Sequence, residues 1–223
     1  MIMQTKQLIW TAAAALLLGN SALAQAHVEA LNLLKEVRVK TEAYTDQTIA
    51  FTNTLDAPGR NGGARVKRSS KGAVTVVGTN YRLDWNGQTI FVNNAKAYIV
   101  SPDDEEVTVR PLGKDGSAFS PTSLLAKYET GSNFAWAGTA TVKGKTIKYV
   151  RMKPKASEEV REIVIGIDLS TKRLYSYQEF GLNDVITTIT VDAYTVNGGV
   201  SKGKVLFNRA NYPGYTVVEP KSK

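Results

Sequence analysis

The sequence predicts a mainly β protein: one curved antiparallel sheet, nearly a barrel, of about ten or eleven strands with two or three short helices. Three observations carry this. Between Lys71 and Val109 the apolar groups Tyr81, Leu83 and Trp85 alternate with Arg82, Asp84 and Asn86. A strand sends successive side chains to opposite faces, so this pattern makes one apolar face and one polar face. Turn chemistry then recurs at short intervals, at Asn86-Gly87, Asn93-Asn94, Lys143-Gly144-Lys145 and Asp168 to Thr171. Finally, no internal repeat or linker divides the chain, and it contains no cysteine, so a single domain must be held by its core and not by disulfides. A one-sided sheet of this kind has to cover its apolar face with another sheet, a helix or a ligand.

The elements follow in order. Met1 to Lys6 carries one lysine, Leu8 to Leu18 is apolar, and Ala22-Leu23-Ala24 is an A-x-A site. Residues 1–24 therefore read as a secretory signal peptide, with Ala24-Gln25-Ala26 fitting a second cleavage position, and residues 25–223 as one exported, soluble domain. Val28 to Tyr44 reads as an amphipathic helix, because Ala30, Leu33, Leu34, Val37, Thr41 and Tyr44 form one stripe. Gln47 to Leu55 is a strand, Ala57 to Gly63 a Gly/Pro loop, and Ala64 to Val77 one or two strands. The alternating ladder ends in the acidic turn Ser101 to Glu106. Its four carboxylates lack the ligand spacing of a calcium loop, so it reads as a solvated hairpin end.

Leu112 to Ser120 is a connector, and Ser120 to Tyr128 a short helix with Ser120 as cap and Pro121 in its first turn. Strands resume at Phe134 to Val142, Thr146 to Lys153, Glu162 to Leu169, Arg173 to Phe180 and Val185 to Val196. A brief apolar piece, Val205 to Phe207, precedes a last short strand ending at Val218.

Composition excludes several classes. His27 is the single histidine and there is no cysteine, which removes His-based nucleophile relays and ordinary zinc sites. Phosphate-loop, nucleophile-elbow and H-E-x-x-H motifs are absent. Neither catalysis nor a cofactor is expected. The net charge of +8 reads first as a solvated basic surface; after that, an anionic membrane surface or an acidic partner suits it better than nucleic acid in an exported protein.

The order of motifs is similar to that of the LolA family of periplasmic lipoprotein carriers. The matching segments are the amphipathic helix; Ile49-Ala50-Phe51-Thr52-Asn53; Lys71-Gly72-Ala73-Val74; Tyr81-Arg82-Leu83; and Lys96 to Pro102. Ser120-Pro121-Thr122-Ser123-Leu124-Leu125, Met152-Lys153-Pro154-Lys155 and Phe207 … Pro213-Gly214-Tyr215-Thr216-Val217-Val218 complete the series. The resemblance implies an unclosed antiparallel β-barrel with a lid of short α-helices, an apolar cavity for the acyl chains of lipoproteins, and a monomeric protein in the periplasm. It implies an inner-membrane ABC-type releasing complex as donor and an outer-membrane receptor or membrane as acceptor.

On the same basis Leu33, Leu34, Val37, Leu124 and Leu125 become lid. Phe51, Tyr81, Leu83, Trp85, Ile90, Val92, Tyr98, Val100, Val150, Met152, Ile163 and Ile165 become cavity lining. Two departures stand out. Gly78-Thr79 occupies the place of the family's Arg-Pro, whose arginine latches the lid. The strand before Ser101-Pro102 is one residue short, which leaves its inward register open by one. A module of this fold for another lipid is the alternative reading.

Overall fold

The computed structural model describes residues 7–93, 95–112 and 131–219, with side chains from Gln25 onward. Helix α1 spans Gln7–Glu42. No Gly or Pro interrupts it after Ser21, and Lys40 in its last turn complements the helix dipole. It begins well before the predicted Val28 and stops before Tyr44. Its last buried stripe residue is Thr41, whose hydroxyl donates to the Val37 carbonyl. Among the described residues no helix is long and apolar enough to cross a membrane.

The strands are β1 (Asp46–Ala57), β2 (Val66–Val77), β3 (Asn80–Trp85), β4 (Gln88–Asn93), β5 (Lys96–Ser101) and β6 (Glu106–Pro111). After the connection come β7 (Ser132–Val142), β8 (Lys145–Pro154), β9 (Val160–Asp168), β10 (Arg173–Gly181), β11 (Ile186–Val196) and β12 (Thr216–Val218). They form one twelve-stranded sheet in the order β12-β6-β5-β4-β3-β2-β1-β11-β10-β9-β8-β7. Every neighbouring pair is antiparallel except β12 with β6. β7 and β12 stand at the two edges, so the sheet is not closed into a barrel. The predicted fold class holds, with one strand more than expected. The predicted helix at Ser120 to Tyr128, and with it Leu124 and Leu125, lies outside the described residues.

Tight turns form where turn chemistry is present. Asn86 (φ 51°) and Gly87 (φ 75°), like Lys143 (φ 50°) and Gly144 (φ 77°), take the left-handed conformations of two-residue hairpin loops. Asn93 behaves differently. It is buried at the end of β4, donates to the Val205 carbonyl at 2.9 Å and accepts from the Phe207 N–H at 2.8 Å. This pins the carboxyl-terminal segment over the outer face of β4 to β6. There Phe91, Val100 and Val107 form a small core with Tyr98, Phe207, Tyr212 and Tyr215. Phe207 stacks between Tyr98 and Tyr212, with ring centroids 4.4 and 5.6 Å away. At the same end of the strands Asp46 accepts from the Gly198 and Gly199 N–H groups, joining the start of β1 to the chain beyond β11.

Candidate functional site

The concave face is assembled by register. Ile49, Val74, Leu83, Ile90 and Ile99 lie in one row across β1 to β5. Gln47, Val76, Tyr81, Val92 and Ala97 form the next row. Phe51, Gly72 and Trp85 form a third. A Cβ on Gly72 would come within 2.5 Å of Phe51 Cζ, so the glycine makes room for the ring. Trp85 Nε1 donates to Ser70 Oγ at 2.8 Å, which satisfies the indole while its rings stay on the apolar side.

On the other wing Trp136, Val150, Ile165, Tyr177 and Ile189 share a row across β7 to β11. Phe134, Met152, Ile163 and Glu179 share the next, where the Tyr177 hydroxyl donates to Glu179 Oε2 at 2.6 Å. Val150, Met152, Ile163 and Ile165 are fully buried.

Helix α1 closes this wing. Ala30, Leu33, Leu34 and Val37 join both walls in one apolar cluster. Its polar attachments to the sheet are few. The Phe134 N–H on edge strand β7 donates to His27 Nδ1 at 3.0 Å, so Nδ1 is the unprotonated ring nitrogen, and the two rings meet edge to face. Lys172 Nζ pairs with Glu36 Oε2 at 3.2 Å. Gln47 Nε2 donates to the Thr41 carbonyl, and Tyr194, its phenol pushed up to about 12 by burial, donates to Gln47 Oε1. A cleft of about 350 Å³ follows the helix flank between Leu33 and Trp136, rimmed by Glu29, Glu36, Lys148 and Lys172. Lys148 Nζ sits 3.7 Å over the Trp136 ring.

Of the residues singled out from sequence, Leu33, Leu34, Val37, Phe51, Tyr81, Leu83, Val92, Val150, Met152, Ile163 and Ile165 meet in this one cluster. Trp85 and Ile90 pack half-buried against it. Tyr98 and Val100 do not. Pairing of Phe91 with Tyr98, and of Thr89 with Val100, turns both to the outer face, and Ala97 and Ile99 point inward instead. Ile49, Val74, Phe134, Ile167 and Tyr177 belong to the cluster and escaped the sequence reading. Period-two alternation in their strands was the available signal. Gly78 (φ 60°), in the place of the latch arginine, lies in the β2–β3 turn with open space where a Cβ would be.

An unclosed antiparallel sheet with a helix across its concave face is the architecture that the LolA resemblance implies. No protein-family model and no curated protein matches the chain in sequence. Solved structures do match it. An uncharacterised conserved protein from Thermus thermophilus is 8% identical, with a TM-score of 0.57 over 83% of this chain and 98% of that one. A LolA superfamily protein from Nitrosomonas europaea is 7% identical, with a TM-score of 0.40 over 79% and 98%. The lipoprotein LppX from Mycobacterium tuberculosis is 13% identical, with a TM-score of 0.44 over 78% and 97%. At these identities the likeness is one of fold.

Proposed function

We propose that this chain is a lipid-binding carrier that takes acyl chains onto the concave face as α1 moves aside. The observation that carries the reading is the closure itself: one continuous apolar cluster spans both walls, and the amphipathic stripe of α1 covers it. Burial of a methylene contributes about 0.8 kcal/mol, so an acyl chain of about sixteen carbons costs on the order of 12 kcal/mol to keep in water. Only a covered cavity offsets a cost of that size. Release is the complementary problem, since each 1.4 kcal/mol of surplus affinity slows hand-over about tenfold. A helix that competes with cargo for the same wall addresses both, because cargo then binds against a helix that is ready to return.

The finer reading is transport of acylated lipoproteins in the periplasm, from an inner-membrane ABC-type releasing complex to an outer-membrane receptor or membrane. Motif order supports it. The turn residue Gly78, where the latch arginine would stand, favours a second reading: a binding or sensing module of the same fold for a free glycolipid or phospholipid. Native mass spectrometry of the protein isolated from its own source tests both. A one-to-one complex with a tri-acylated polypeptide establishes lipoprotein carriage. A bound free lipid selects the second reading, and a protein without lipid counts against both.

A further inference from the structure

On its β3 side the hairpin formed by β1 and β2 extends past its neighbour, while on the other side β11 accompanies β1 as far as Asp56. β3 pairs with β2 only as far as Gly72, so Val66 to Lys71 have β1 on one side and no partner strand on the other. From Leu55 to Lys71 the hairpin carries Arg60, Arg65, Lys67, Arg68 and Lys71 against a single acidic residue, Asp56. Every residue from Arg60 to Ser69 is exposed. Arg65 and Lys67 are paired with Asp56. Arg60, Arg68 and Lys71 have no ion pair among the described residues. Leu55 and Val66 are exposed on the same face as Arg68. Arg65 also donates to the Asp184 carbonyl at 2.9 Å, which joins the hairpin to the β10–β11 turn where Leu182 is exposed. The loop has a fixed shape: Asn61 and Gly62 turn through positive φ, and a Cβ on Gly59 would collide with the Ala64 carbonyl.

We infer that this hairpin is a docking element for an anionic lipid bilayer. Cations without counter-charges gain most from a negative surface, and the aliphatic groups beside Arg68 suit its apolar boundary. The acidic turn Pro102 to Glu106 sits at the same end of the sheet, four strands away. Charge repulsion there tilts the approach so that the hairpin leads. The inference stands whatever the concave face binds.

The test is co-sedimentation of the purified protein with vesicles of phosphatidylglycerol and phosphatidylcholine, and with phosphatidylcholine alone. Each basic residue at an anionic surface is worth about fivefold in affinity. The triple variant Arg60→Glu, Arg68→Glu, Lys71→Glu should therefore lose at least about a hundredfold. A charge-matched control, Lys143→Glu, Lys202→Glu, Lys204→Glu, places its changes at the opposite end of the strands. Along β2 the distance to that end is roughly 30 Å from Arg68 and roughly 20 Å from Lys71, about two Debye lengths or more at 0.1 M salt, so the control should stay within about threefold of the parent. All six positions are exposed, and unchanged thermal midpoints would confirm that both variants fold. Equal losses in the two variants would assign the effect to net charge and overturn the proposal. Equal binding to neutral vesicles would do the same. A parent protein that ignores anionic vesicles would leave the ribbon to an acidic protein partner and also end it.

Discussion

Leu34→Ala separates a moving lid from a fixed core by the sign of its effect. Leu34 is 3% exposed, in the stripe of α1 that meets both walls of the sheet. Truncating a buried leucine costs 2–5 kcal/mol, and about 2 kcal/mol suits a site that can relax around a helix. If the helix has to leave before an acyl chain enters, Leu34 stabilises only the closed state. Its loss then shifts the closed–open balance about 30-fold. While the open form remains a minor species, apparent affinity rises by the same factor. The assay is titration with a fatty acid carrying an environment-sensitive fluorophore. The thermal midpoint of the free protein should fall by about 4–8 °C at the same time. Tighter binding together with lower stability is the expected pair. A lower midpoint with unchanged or weaker binding would refute the displacement argument and make α1 an ordinary core helix.

Leu83→Arg or Trp85→Glu places a charge on the wall beneath the cargo and should abolish probe binding while the far-UV spectrum stays strand-like; retained binding in both would show that this strand does not line the site. Gly72→Ala drives a methyl into the Phe51 ring and should cost about 1–3 kcal/mol in denaturant unfolding, a loss that Phe51→Leu in the same chain partly restores. His27→Ala removes the acceptor of the Phe134 N–H, and hydrogen exchange at that amide should quicken about fivefold. Asp46 sets part of the acid limit. Burial acts to raise its pKa, but the N–H groups of Gly198 and Gly199 and the Thr45 hydroxyl outweigh it and hold the carboxyl below the ordinary 3.8. Its contribution is complete above that value and disappears as pH falls through the lower folded-state pKa, so Asp46→Asn should flatten the acid limb of stability against pH.

Elements with one apolar and one polar face were legible in the sequence. Tyr81, Leu83 and Trp85 alternate with Arg82 and Asp84, and the two sets separate in the fold, with Arg82 and Asp84 paired at 2.8 Å on the outer side. The α1 stripe was legible for the same reason. β5 was not, because Ala97, Tyr98, Ile99 and Val100 are all apolar and a period of two selects neither face. Its outer face is apolar because the carboxyl-terminal segment covers it, a contact between residues more than a hundred positions apart. The same distance explains Asn93, which local turn preference assigns to a bend and which its partners at Val205 and Phe207 hold in the core.

The strand order also dictates a sequence of events in folding. β2 to β6 and β7 to β11 are two meanders in which each strand pairs with the next one along the chain. Within the sheet β1 is the strand that joins them, and its pairing with β11 spans 130 positions and more. Closing a loop of that size costs entropy that short hairpins do not face. The two arms are therefore expected to form early and the β1–β11 seam late. The one-residue bulge at Asp192 marks that seam, where the Asp192 side chain accepts from the Thr52 hydroxyl at 2.8 Å. Pulse-labelling hydrogen exchange would show it directly: amides across β1 and β11 should gain protection after those of both arms, and the last zip to fasten would be the one that brings the two walls of the cavity face to face.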